Sequence, residues 1–268
     1  MKDILQKKIQ ELRETIKNSP KEKEEVQYEC PICKDRGLIY KDGQAYICNC
    51  VNKKRFENQF KHARLAGEYL HKSFDDFQIK YYSSYRIDTN SNVTYRQLAT
   101  QCLTAAKLFT DSVINKKKHK GMYVYGTVGS GKTLLTSCIA NRLLEHNIEL
   151  LFISVPDFLD EIKATFNQKG NQEMDLMNQV RNVRVLILDD LGAHTYTDWS
   201  AGRIYNIINY RASNNLSTII TSNLSVDGLA EALDERTSSR VMQLCTLYRL
   251  ETEEDIRCQV YKENLKRV

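Results

Sequence analysis

The chain has 268 residues, 41% hydrophobic and 27% charged, with three prolines and a formal net charge of +5. That length holds one large domain, or one domain with a smaller appendage, and buries enough surface to do without disulfide staples. No run of about 18 apolar residues exists, which excludes a membrane-spanning helix. The opening Met1-Lys2-Asp3-Ile4-Leu5 lacks the basic-then-apolar order of a secretory signal. A cytoplasmic location is therefore expected, and the eight cysteines are read as metal ligands or core thiols.

Residues 1–26 read as an amphipathic helix and a charged connector. Leu5, Ile9, Leu12 and Ile16 fall on one helical face, and Pro20 ends the stripe. Such a helix either packs on its own domain or docks into a partner's groove. Residues 27–52 form a cysteine module. Cys30 and Cys33 make a Cys-x-x-Cys knuckle, and Cys48 and Cys50 supply a second pair after fourteen residues. Four thiolates in this spacing suit tetrahedral Zn²⁺, with Asp42-Gly43 as the turn of a small hairpin between the pairs. Cys102, Cys138, Cys245 and Cys258 lie in helix-like or apolar segments and read as core thiols.

Residues 53–115 form a linker and helical segment. Basic residues gather at Lys53-Lys54-Arg55 through Lys61, Arg64 and Lys72, and again at Lys116-Lys117-Lys118 and Lys120. They permit contact with a polyanion without requiring it. A helix is expected over 95–112, with Leu98, Cys102, Ala105 and Leu108 in register. Over 116–268, short apolar runs (122–125, 150–155, 185–188, 218–221) alternate with helix-like stretches such as 134–146 and 203–213. That alternation predicts an α/β fold, a parallel sheet flanked by helices.

The strongest motif is Gly126-Thr127-Val128-Gly129-Ser130-Gly131-Lys132-Thr133, between an apolar strand and a helix. Glycines let the backbone curl so that its N–H groups converge on phosphate oxygens. Lys132 suits the β- and γ-phosphates, Thr133 suits Mg²⁺, and the helix adds its positive end. ATP and Mg²⁺ are the expected ligands. About 55 residues on, the strand 185–188 ends in Asp189 and Asp190. Asp189 suits the metal and Asp190 the attacking water, although paired acids at a strand end also cap helices. Asn223 ends the run 218–221, where it either faces the phosphates or opens a turn. Arg236 and Arg240 are either surface ion-pair members or donors to a neighbouring subunit's nucleotide.

The stretches 185–192 and 204–211, Trp199, and the stretch 218–224 resemble the AAA+ ATPases of the DnaC/DnaI helicase-loader and IstB group. The upstream cysteines, Ala63-Arg64-Leu65 and Ser73-Phe74-Asp75-Asp76-Phe77 are similar to the loaders, whereas IstB transposition helpers generally lack such a module. The resemblance implies an AAA+ ATPase that loads a hexameric replicative DNA helicase onto single-stranded DNA and self-associates through its ATPase domain. It implies Arg240 as an arginine finger and Arg257 as a sensor arginine at the nucleotide. It also implies single-stranded DNA contact along 157–184, where Lys163, Phe166, Lys169 and Arg181 offer cations and an aromatic. The N-terminal helix and zinc module would dock the helicase. The alternative is an IstB-like regulator of DNA transposition; a third class, a small-molecule kinase, is disfavoured by the Asp189-Asp190 and Asn223 strand ends and by the absence of an obvious arginine-rich lid from the sequence.

Overall fold

The computed structural model describes residues 28, 30–41, 44–48, 50–51, 63–166, 172–193 and 195–266. The expected N-terminal helix, the Asp42-Gly43 turn, the basic run at 53–61 and Lys169 lie outside the described residues. The chain divides into two units, Met1–Lys53 and Lys54–Val268.

In the first unit, strands β1 (Leu38–Lys41) and β2 (Gln44–Ile47) pair antiparallel, Leu38 opposite Ile47 and Lys41 opposite Gln44. The knuckle before β1 turns through Lys34 and Asp35 at φ 51° and 60°. The Lys34 N–H donates to the Cys30 carbonyl at 2.9 Å, and the Cys30 N–H donates to Asp35 Oδ1 at 2.9 Å. These bonds fold the Cys-x-x-Cys segment back on itself.

The second unit is built on five parallel strands: β3 (Gly121–Tyr125), β4 (Leu150–Ser154), β5 (Val185–Leu191), β6 (Ser217–Ser222) and β7 (Cys245–Arg249). Their spatial order is β4-β5-β6-β3-β7. Helices α1 (Tyr95–Ile114), α2 (Lys132–Glu145), α3 (Val155–Thr165), α4 (Gln172–Asn182), α5 (Asp198–Ser213), α6 (Val226–Ala232), α7 (Glu235–Leu244) and α8 (Ile256–Leu265) connect and flank them. Alternation along each strand splits the apolar side chains between two faces. Met122, Val124, Val185, Ile187 and Ile219 pack with α1 and α2. Tyr123, Leu186, Leu188 and Ile220 pack with helices α3 to α7. Both faces of the sheet are covered, which is why these strands read as continuous apolar runs.

Two readings from sequence are corrected. The buried stripe of α1 runs Leu98, Ala99, Cys102, Ala106, Phe109, Val113. Leu108 is 62% exposed and Ala105 is only half-buried, because Phe109 takes the place in the core that the expected register gave to its neighbour. Cys258, read as a core thiol, is exposed on α8, whereas Cys102, Cys138 and Cys245 are buried. Strand β7 was not among the apolar runs expected. Its Thr246-Leu247-Tyr248 centre is β-prone but short and half-exposed.

Arg211, fully buried on α5, has no carboxylate partner among the described residues. Its Nε donates to Thr218 Oγ1 at 2.9 Å. One terminal nitrogen reaches the carbonyls of Val180, Arg181 and Val183 at 3.2, 2.9 and 2.9 Å, and the other the Ser217 carbonyl at 2.6 Å. The cation therefore satisfies the open carbonyls at the end of α4, where the helix dipole favours positive charge. Burial pulls its pKa down to about 9, and the carbonyl shell keeps the charged form in place. No helix among the described residues is long and apolar enough to cross a membrane. Arg211→Lys keeps the charge but cannot reach all of these acceptors. It is expected to lower stability by about 3 kcal/mol, measured as a shift in the urea midpoint.

Candidate functional site

The loop 126–131 leaves β3 and enters α2. Gly126 and Gly129 have φ of 147° and 72°, which side-chain-bearing residues resist. A β-carbon on Gly126 would lie 2.0 Å from the Leu250 carbonyl oxygen, and one on Gly129 would lie 2.1 Å from Asp255 Cγ. The far side of the loop is thus covered by segment 250–256. There the Thr252 N–H donates to Thr127 Oγ1 at 3.1 Å and the Ile256 N–H to the Gly129 carbonyl at 3.0 Å. Tyr82, buried, donates its hydroxyl to the Ser130 carbonyl at 2.6 Å. Tyr82 and Thr252 were not singled out from sequence, because they lie far from the loop along the chain and carry no motif.

Lys132 is buried at the mouth of α2, and its Nζ donates to the carbonyls of Gly126 and Thr127 at 3.1 and 2.7 Å. Burial lowers its pKa, and Asp190 and Asp189 oppose that. Ser130 Oγ is buried without a hydrogen-bond partner among the described residues. Curled amides, a desolvated ammonium, an unsatisfied hydroxyl and a helix N-terminus together fit a polyphosphate.

Opposite the loop, Thr133 Oγ1 donates to Asp189 Oδ2 at 3.0 Å, and Thr221 Oγ1 donates to Asp189 Oδ1 at 2.6 Å. The Asp190 N–H donates in turn to Thr221 Oγ1 at 3.0 Å. Asp190 sits in the left-handed region at φ 58°, where the β5–β6 register shifts between Leu188 and Leu191. Aspartate tolerates that conformation better than a longer residue, a local reason for Asp at this position. Burial pushes the Asp189 carboxyl up to about 6, against the hydroxyls of Thr221 and Thr133. Thr133 and Asp189 offer hard oxygen donors on adjacent elements, a chemistry that suits Mg²⁺.

The other predicted residues lie further out. Asn223 is exposed just past β6, at the carboxyl edge of the sheet. Arg257, on α8, forms a bidentate pair with Asp255, Nε to Oδ1 at 3.0 Å and a terminal nitrogen to Oδ2 at 2.6 Å. Because the Asp255 carboxylate abuts Gly129, this places Arg257 beside the loop. Arg240, on α7, donates to Gln243 Oε1 at 2.7 Å and makes no bond to the loop, Asp189 or Asp190. In the segment expected to meet DNA, Lys163 pairs with Asp160 at 3.2 Å. Phe166 meets Trp199 edge-on at 5.0 Å, and Arg181 lies over the Tyr210 ring at 6.0 Å.

In the first unit, the Sγ atoms of Cys30, Cys33, Cys48 and Cys50 all lie within 4.8 Å of one another. Cys30 to Cys48 is 3.8 Å and Cys33 to Cys50 is 3.3 Å. Zn–S bonds of about 2.3 Å at tetrahedral angles give S···S edges of about 3.8 Å, so the cluster fits zinc. A backbone hydrogen bond from Cys33 draws the Cys30 thiol down to about 7, while the Cys33 sulfur pushes Cys50 up.

The folded chain holds the Asp189 proton more tightly than the unfolded chain does. Stability therefore falls as pH rises from the ordinary carboxylate range through about 6, by up to about 3 kcal/mol, and levels off above. Asp189→Asn removes that slope. The metal-free variant is expected to be the more stable at about pH 7.5 and to lose its advantage toward about pH 4, measured by urea denaturation at each pH. Native mass spectrometry is expected to find about one zinc per chain, lost on Cys48→Ser.

The IstB-like ATP binding protein family matches residues 51–250. The replicative helicase loader DnaI of Bacillus subtilis is 35% identical over 122 residues, 45% of this chain and 39% of that protein. The replicative helicase loader DnaC of Escherichia coli strain K12 is 31% identical over 116 residues, 43% of this chain and 47% of that one. The matched region thus spans less than half the length of either loader. A crystal structure of DnaI aligns with a TM-score of 0.55 at 27% identity, over 70% of this chain and 95% of that chain.

Proposed function

The chain belongs to the IstB-like ATP binding protein family, which covers residues 51–250, and from that premise we propose that it is an ATPase that loads a hexameric replicative helicase onto single-stranded DNA. The observation that carries the ATPase reading is the alignment of Lys132, Thr133 and Asp189 around one glycine-curled loop. In this reading the loop amides and Lys132 would hold the β- and γ-phosphates, and Thr133 and Asp189 would hold Mg²⁺, whose charge would offset that of the transferred phosphoryl group. Asp190 orients the attacking water, and Asn223 bonds that water or the γ-phosphate. Water adds to the γ-phosphorus, the bond to the β-phosphate oxygen breaks, and ADP and phosphate leave.

Arg240 contributes to a neighbour's nucleotide, consistent with its position away from its own loop. Arg257 senses the nucleotide from α8. The ATPase domain, 116–268, then switches affinity for helicase and DNA, with 53–115 leading into it. The N-terminal segment 1–26 and the zinc module 27–52 dock the helicase. The homology to two replicative helicase loaders supports this choice, and the four-cysteine cluster favours it over a regulator of transposition.

Lys132→Ala is expected to abolish ATP binding, read by fluorescence of a labelled nucleotide. Arg240→Ala is expected to bind ATP normally but to lose at least about tenfold of the hydrolysis rate of the assembled protein. Normal turnover by the assembled variant would remove Arg240 from the mechanism. Co-purification in ATP and Mg²⁺ is expected to recover a replicative helicase in near-equal amount, and recovery of a transposase would favour the alternative.

A further inference from the structure

The two edges of the five-stranded sheet are not treated alike. On β4 the Phe152 N–H donates to the Ala63 carbonyl at 2.8 Å, so a preceding segment covers that edge. On β7, among the described residues, no strand pairs with the outer side. The Leu250 N–H donates to the Tyr125 carbonyl, and backbone direction alternates along a strand. The N–H and C=O of Leu247 and Arg249 therefore point away from β3, and among the described residues no loop backbone reaches them.

A cavity of about 450 Å³ runs beside this edge, between β7 and α1. Ala105, Leu108, Tyr248 and Met122 give it an apolar lining, and His119 and Lys120 close one end. Leu108, at 62% exposure, faces outward here, which accounts for its absence from the core of α1. On the opposite face of the edge, Leu247 and Met242 are 40% and 47% exposed. A strand laid along β7 would thus find apolar surface for its side chains on both faces.

The one charged side chain among those lining the groove, Lys120, is a cation. No carboxylate lines it, and Lys116, Lys117, Lys118 and Lys120 stand exposed or half-exposed in the connection from α1 to β3 with no ion pair among the described residues. Gly121 stands opposite Cys245 in the β3–β7 register, so Lys120 sits at the start of the edge strand. The acids at its other end, Asp88 and Glu251, are both paired with Arg249. In an antiparallel edge-to-edge pair of copies, the carboxylates that would meet the lysines, Asp88 and Glu251, are already taken by Arg249.

We infer that the outer edge of β7 and the groove against α1 receive an extended, acidic segment of a partner protein as an added strand. Main-chain bonds to Leu247 and Arg249 would give affinity, the apolar groove would take alternate side chains, and the lysines would select acidic residues at one end. This surface is separate from the nucleotide loop, which lies at the carboxyl edge of the sheet.

A random dodecapeptide library displayed on phage, panned against the full chain, tests this. Enrichment of sequences joining a β-branched run to a cluster of Asp or Glu is the expected result. A fluorescein-labelled enriched peptide should lose at least about tenfold in affinity on Leu247→Pro, which removes an outward donor and leaves the β3 ladder intact. It should lose as much on Ala105→Glu, which charges the groove without touching the strand, and on Lys118→Glu with Lys120→Glu. Thermal melts of each variant verify that it folds. Enrichment of neutral or basic peptides, no enrichment, or binding indifferent to Leu247→Pro and Ala105→Glu would overturn the inference. So would a concentration-dependent dimer dissolved by Leu247→Pro, which assigns the edge to a second copy. Binding of an oligo-dT strand that depends on the lysines but not on Leu247 would assign them to nucleic acid and overturn it too.

Discussion

A single buried carboxylate joins the parts of the second unit that matter most. Asp189, on β5, receives one hydroxyl from the first turn of α2 and another from β6, and the latter also accepts the N–H of Asp190. The phosphate-type loop, the central strand and its neighbour are thereby fixed to each other within hydrogen-bond tolerance. Burial makes the ionised form costly, so folding here works against charge. A divalent cation beside Thr133 would relieve that penalty, and the same geometry that makes the bare site uncomfortable gives it affinity for metal.

Around that centre, the features legible in sequence are those whose signal is local. The glycine-lysine-threonine loop needs left-handed backbone and an ammonium at fixed offsets, and eight consecutive residues carry the requirement. The four strands buried on both faces announce themselves as apolar runs, and the cysteine pairs announce their cluster by spacing. What stayed hidden depends on partners far along the chain. Arg211 looks like any arginine on an amphipathic helix, yet its acceptors come from the end of α4 and the start of β6. Tyr82 reaches the loop across 48 residues. β7 is an edge strand with one face half in solvent, so its alternation is too brief to stand out. In α1, two overlapping stripes compete, and only tertiary packing decides that Phe109 and not Leu108 is inside.

The covering of the loop by residues 250–256 has an electrostatic side. A carboxylate, Asp255, is packed against Gly129, on the back of a loop whose front suits anions. Its bidentate arginine offsets that charge, and the pair presents a nearly neutral wall. The guanidinium of Arg257 therefore offsets a negative charge that would otherwise stand directly behind the loop.

The segment that enters the second unit is fastened repeatedly before it reaches the loop. The Ala63 carbonyl accepts from β4, Asn141 on α2 donates to the carbonyls of Tyr69 and Lys72 at 2.8 and 2.7 Å, and the Cys138 thiol donates to the Ser73 carbonyl at 2.9 Å. Only afterwards does Tyr82 touch Ser130. Mechanically this is a strain relief of the kind used on a cable. Tension applied upstream of residue 63 is taken up in shear by the edge of β4 and the flank of α2, and the loop behind them keeps its shape under load.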